Sequence, residues 1–269
     1  LRAVLYDPYQ SGRFGPGGLK PVAVMSLRRW DQVLLVCSFV GLTLLAWAYL
    51  FYLEKNMIGM DAGMRAWLPS DFFMMFLMWA IMMVAMMLPT ALRAFLIYAR
   101  IAARGRQDES PIASVYFFGG GYIAIWTLFS VGATLMQWGL QSAALLSPMM
   151  VSSSVGLGAA LLIAAGIYQF TPLKDACLKH CQSPIMYLAA NYKKGNQQAF
   201  QLGLKHGGYC LGCCWVLMGL LFLGGVMNLI WILAITLFVL AEKLLPPTLH
   251  GTRLSGVAMI LVGVAFLAG

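Results

Sequence analysis

Long apolar runs separated by short polar connections set the pattern of this chain. A membrane-crossing helix needs about 20 mostly apolar residues. Seven stretches approach that length: 32–53, 72–92, 112–138, 152–170, 203–223, 226–244 and 254–268. None alternates with the period of two expected of a strand, and barrel strands would be shorter. The pattern predicts an all-α fold, a polytopic transmembrane helical bundle of about seven spans over residues 31–269, behind an N-terminal tail over residues 1–30. Only Gly224 and Gly225 separate the fifth and sixth stretches, which predicts a tight re-entrant hairpin. The last stretch is short enough to be tilted or partly interfacial.

Composition agrees with this reading. Hydrophobic residues make up 61% of the 269 and charged residues 10%, against roughly 25% charged in an ordinary soluble domain. So few polar groups cannot cover a water-soluble surface around so much apolar material, whereas lipid allows an apolar exterior. The net charge of +9 does not point to nucleic acid, because Lys and Arg lie between apolar runs, not in a block or with stacking aromatics.

The positive charges instead orient the bundle. With the N-terminus cytoplasmic, 16 of the 18 Lys and Arg residues fall inside, and only Lys55 and Arg65 are left outside. The expectation is therefore an N-in, C-out protein of the bacterial cytoplasmic (inner) membrane. Ser26–Trp30 faintly resembles a twin-arginine signal, but the apolar run after it is long enough to span, which favours an uncleaved first helix.

Six cysteines are present, and Cys177, Cys181, Cys210, Cys213 and Cys214 fall within 38 residues, which suggests a site more than a disulfide framework. On a helix Cys177 and Cys181, four residues apart, face the same way. His206, Cys210 and Cys213 share an arc of about 60°, which Cys214 widens to about 100°. His206 and Cys214 stand about 12 Å apart along a helix axis, so one ion with bonds of about 2.3 Å cannot take both. The economical arrangement joins Cys210 and Cys213 or Cys214 to Cys177 and Cys181, with His180 or His206 as a further ligand or as support. Gly207 and Gly208 are expected to loosen the helix start and place Cys210 near a helix N-terminus. Soft thiolates at a reducing cytoplasmic boundary suit Cu(I), with zinc as the alternative. Against this stands the plain reading of cysteine as a small apolar residue, which is kept for Cys37.

Seven of the fourteen residues from 74 to 87 are methionine. Met75, Met78, Met82 and Met86 share an arc of about 80°, a thioether stripe that would serve as a metal path for Cu(I). Met57, Met60 and Met64 repeat the theme on the predicted outer loop. Flexible packing between helices explains the stripe equally well. Asp71 and Glu242 are ionisable groups near the bilayer and hence weak functional candidates; Glu242 beside Lys243 would form an interfacial pair.

The segments 78–89 (MWAIMMVAMMLP), 164–184 (AAGIYQFTPLKDACLKHCQSP), 206–218 (HGGYCLGCCWVLM), 225–232 (GVMNLIWI) and 241–246 (AEKLLP) occur in an order that resembles a bacterial family of predicted metal-binding integral membrane proteins, catalogued as a domain of unknown function. The resemblance covers about residues 70–268. It implies a multi-spanning protein with a metal site at the matching cysteines and histidines, and no defined activity.

Three functions follow as expectations. The first is copper handling, in homeostasis or in support of a copper-dependent membrane enzyme, with a larger membrane complex or a metallochaperone as partner besides the lipid bilayer. The second is a thiol–disulfide/quinone oxidoreductase using the C-x-x-C pair Cys210 and Cys213, which the expected cytoplasmic placement disfavours. The third is an accessory structural subunit. No catalytic residue is assigned; three histidines are too few for haem pairing, and no nucleotide-binding glycine motif is apparent.

Overall fold

The structure is a computed structural model that describes residues 29–57, 67–105, 112–146, 154–245 and 251–268. Among the described residues it is helical throughout, with no β-strand element. The helices are α1 (Arg29–Met57), α2 (Pro69–Gly105), α3 (Ile112–Ser142), α4 (Val155–Tyr168), α5 (Pro172–Gln182), α6 (Pro184–Asn191), α7 (Asn196–Gly219), α8 (Leu221–Gly224), α9 (Leu229–Leu244) and α10 (Gly251–Ala268).

Five lengths are long and apolar enough to cross a membrane: Arg29–Asn56, Pro69–Arg104, Ile112–Ser142, Asn196–Gly224 and Gly251–Ala268. The fourth predicted stretch, 152–170, holds only the 14-residue α4. α4 ends at Tyr168, and α5 leaves it at 68°; the pair makes a sixth span if taken as one. The break lies where Pro172 disfavours a helical residue before it, and Thr171 caps the new helix by accepting from the Lys174 N–H at 3.3 Å. The sixth predicted stretch is shorter than expected. Gly225 (φ 95°) turns the chain, and the Asn228 side chain accepts from the Trp231 N–H at 3.1 Å, so α9 starts only at Leu229. Its 16 residues rise about 24 Å, less than a hydrocarbon core of about 30 Å.

The core is built on α2, α3 and α7. α7 lies along α3, and their backbones touch: a Cβ at Gly203 would collide with the Phe118 carbonyl, and one at Gly121 with that of Phe200. Small residues at such crossings let helices approach without side chains between them. Pro89 lies inside α2 and has no N–H to offer the Ala85 carbonyl. Trp47 of α1 fills the gap by donating its indole N–H to that oxygen at 3.2 Å. α4 packs on α10, while the short α5 turns across and lies on α7.

The large exposed side chains of α1, α3 and α10 are mostly apolar, among them Leu44, Leu45, Leu128, Leu135, Leu261 and Leu267. That exterior suits a lipid environment.

Candidate metal centre

The bend at Thr171 lays α5 on α7 with the face bearing Cys177 and Cys181 turned inward. Cys177 is buried over Gly212: a Cβ at that glycine would lie 2.7 Å from its sulfur. One turn on, the Sγ of Cys181 stands 4.0 Å from the Sγ of Cys213. Cys181 also neighbours Cys210. The Tyr168 hydroxyl donates to the Gly212 carbonyl and ties the end of α4 to the same point of α7.

On α7 the three cysteines are buried, and the thiols of Cys213 and Cys214 each donate to the Cys210 carbonyl at 3.0 Å. The Cys210 sulfur stands beside those of Cys181, Cys213 and Cys214 and has further partners. It accepts from the Lys243 ammonium at 3.0 Å and lies 3.1 Å from the Tyr122 hydroxyl. Lys243 also donates to the Thr90 hydroxyl at 2.9 Å. Tyr122 donates to the Met87 carbonyl at 3.1 Å, and Thr90 to the same carbonyl at 2.8 Å. Thus α2, α3, α7 and α9 converge on one thiol.

Among the described residues, no three or more His, Cys, Asp or Glu side chains are arranged to hold one ion together. Cys181 and Cys213 bring their sulfurs to 4.0 Å, with Cys210 beside both and Cys177 over Gly212.

Two expectations are corrected. Cys210 is not near a helix N-terminus: α7 begins at Asn196, and Gly207 sits inside it, where a Cβ would lie 3.1 Å from Ile125 Cβ on α3. The glycine permits packing instead of fraying the helix. Glu242 does not pair with Lys243. On a helix adjacent residues diverge by about 100°; Lys243 turns to Cys210, while Glu242 turns to Lys174 at 2.8 and 3.0 Å and accepts from Gln169 at 2.9 Å. This ion pair is buried and joins α5 to α9.

The two histidines differ. His206 is buried against the Phe118 and Tyr122 rings, with its Nδ1 unpartnered, and it lines a small cavity with Cys181 and Cys210. His180 is half-buried, stacked on Tyr209 at 4.2 Å, with its Nδ1 on the Ala176 carbonyl. Asp71 caps the start of α2 by accepting from the Leu68 N–H at 2.9 Å.

Met78, Met82 and Met86 are fully inside the protein, and Met75 is half-buried with its sulfur 3.6 Å from the Gln137 amide. The stripe faces the helix core, and Tyr122 links its inner end, through the Met87 carbonyl, to Cys210. Met60 and Met64 lie outside the described residues, as does the side chain of Met57.

The family model for PpoB2, a copper chaperone, matches residues 76–266. The chain belongs to this copper chaperone family. The match includes Met78, Met82 and Met86 and all five clustered cysteines. No curated protein and no solved structure matches the chain. For a copper chaperone family the donor set is apt: thiols and thioethers are soft ligands that select Cu(I), and here they are gathered out of water.

Sequence reasoning missed Lys243, Arg93, Tyr122 and Thr90. Lys243 and Arg93 were legible as charges at the ends of apolar runs, where an ionisable group is a functional candidate. As charges, Arg93 serves only to orient the bundle, and Lys243 to orient it and to pair with Glu242. Tyr122 and Thr90 carried no signal, because only the packing of α2 and α3 on α7 brings them to Cys210.

Proposed function

We propose that the chain is a multi-pass protein of the bacterial inner membrane, seven-pass with its N-terminus cytoplasmic, that carries Cu(I) as cargo for a copper-dependent membrane enzyme or another copper-handling partner. Cys181 and Cys213 hold the ion, with Cys210, Cys214 and Cys177 as the adjoining thiols and Met78, Met82 and Met86 as the path across the bundle. α9 and the bent α4–α5 pair complete the spans in this reading.

The observation that carries it is the 4.0 Å between the Cys181 and Cys213 sulfurs. Two sulfurs each about 2.3 Å from one ion stand between ~3.8 Å apart at a tetrahedral angle and ~4.6 Å in line. Cu(I) accepts coordination by as few as two thiolates, so the pair needs no third ligand from a fixed cage. Two sites on separate helices also suit a carrier, which must release its cargo. The thiol–disulfide reading fares worse, since the Cys210 sulfur is engaged by the Lys243 ammonium and the Tyr122 hydroxyl, while Cys213 reaches Cys181 on α5.

Copper content of the purified protein, prepared without oxygen, tests the proposal. Cys181→Ser with Cys213→Ser loses a tightly held Cu(I), and the sulfur shell seen by X-ray absorption disappears with it. Unchanged copper in that variant removes the reading. Stoichiometric co-purification with a large complex, without copper, would favour a structural subunit instead.

A further inference from the structure

The small cavity beside the thiols has an unusual lining for a cation carrier. Arg93, Lys243, Thr90 and His206 surround it together with Cys181 and Cys210. Arg93 brings a planar guanidinium cation to this lining. Its Nε is buried without a hydrogen-bond partner, and so is the Nδ1 of His206, whose side chain is only 2% exposed. Among the described residues no carboxylate forms an ion pair with Arg93 or Lys243; Glu242, next to Lys243 in the chain, is committed to Lys174. Lys243 donates to the Cys210 sulfur, which leaves the half-buried guanidinium as the positive charge without a partner at this cavity. A bare copper cation approaching Cys181 through this cavity would be repelled, because charges interact strongly where little water screens them. An anion would be drawn in.

We infer, resting on the copper-carrier reading, that Cu(I) is handed over at the opening of this cavity by an anionic thiolate complex that stays outside it, with the half-buried Arg93 recognising the carrier's negative charge. Transfer is then a thiol exchange: [Cu(SR)2]⁻ meets the thiol of Cys181, which lines the cavity, and then that of Cys213 4.0 Å from it; two Cu–S bonds to the protein form, and two to the carrier break. The two cysteine protons leave on the departing thiols. Copper stays Cu(I) throughout, so no oxidant or reductant is needed. Arg93 acts in the encounter and takes no part in holding the ion afterwards. The donor is therefore a small acidic thiol or a thiol-bearing acidic protein surface.

The test uses two donors with the same sulfur chemistry and opposite charge: Cu(I) bound to 2-mercaptoethanesulfonate and Cu(I) bound to cysteamine. Stopped-flow transfer to the purified apo-protein in uncharged detergent is expected to be ~10-fold faster from the sulfonate donor at low salt, and the gap should close as ionic strength rises. Arg93→Gln abolishes most of the gap and leaves the final copper stoichiometry unchanged, whereas Arg93→Lys keeps much of it. Equal rates from both donors in the wild-type protein, or a gap that persists in folded Arg93→Gln, would overturn the inference while sparing the copper-carrier reading. Failure to take copper from either donor would overturn both. The salt dependence is read on the wild type and does not depend on the variants folding.

Discussion

The Nζ of Lys243 lies 3.0 Å from the Sγ of Cys210, and both side chains are buried between α9 and α7. An ammonium in such a place needs acceptors, and it has two, this sulfur and the Thr90 hydroxyl. Removing one partner alone leaves the other stranded. A double-mutant cycle with Lys243→Met and Cys210→Ala should give a coupling of about 1.5–3 kcal/mol, as for hydrogen bonds to charged groups. Unfolding in detergent measures it. Additivity of the two single changes would show that the contact contributes nothing.

The contact between Cys177 and Gly212 makes a sharper prediction about geometry. A methyl group at 212 would press on the Cys177 sulfur at 2.7 Å and lift α5 from α7, widening the separation of Cys181 and Cys213. Gly212→Ala is expected to weaken Cu(I) binding by ~10-fold or more, about 1.4 kcal/mol, even though alanine favours helix by about 1 kcal/mol. Cys177→Ala in the same chain should restore much of the affinity. Gly208→Ala, where a Cβ meets nothing within 4 Å, is the control and should leave affinity unchanged.

The Lys174–Glu242 pair holds α5 to α9 from the other side. Breaking a buried pair by removing one partner typically costs about 3–5 kcal/mol. Lys174→Met or Glu242→Gln should therefore lower the unfolding midpoint strongly, and Lys174→Met with Glu242→Leu should lower it less than either single change predicts. Additive losses in the double variant would argue that the pair is not the reason for the loss.

The methionine column separates packing from chemistry. Met82→Leu with Met86→Leu conserves volume, and such exchanges usually cost under about 1.5 kcal/mol. The variant should fold, load Cu(I) at the thiols as before, and deliver it to a partner or across proteoliposomes more slowly. Unaltered delivery would reduce the column to packing.

The helical architecture and the inward face of α5 could be read from the chain because both depend on local periodicity. The i, i+4 spacing of Cys177 and Cys181 needs only a helix to place both thiols on one side, and Thr171-Pro172 supplies the start of that helix. The methionine stripe was legible for the same reason. The depth of Cys210 within α7 was not, since hydropathy marks the lipid-facing length and not the helix, and Asn196–Lys205 is too polar to look like its first turns. Nor did the sequence separate Glu242 from Lys243. Which of two neighbouring charges turns toward the thiols depends on the rotation of α9, and that is set by tertiary contacts with α2, α5 and α7.

Pro89 leaves one carbonyl of α2 without its own helix's N–H, and the indole that answers it comes from Trp47. Trp47 stands ahead of residue 76, where the family match begins. The leading helix is thus more than an anchor: it bolts a weak joint in the rod that carries methionines on one side of the proline and Thr90 and Arg93 on the other. A chain trimmed to the matched region would keep every sulfur of the cluster and still lose the brace that keeps the two halves of that rod in line.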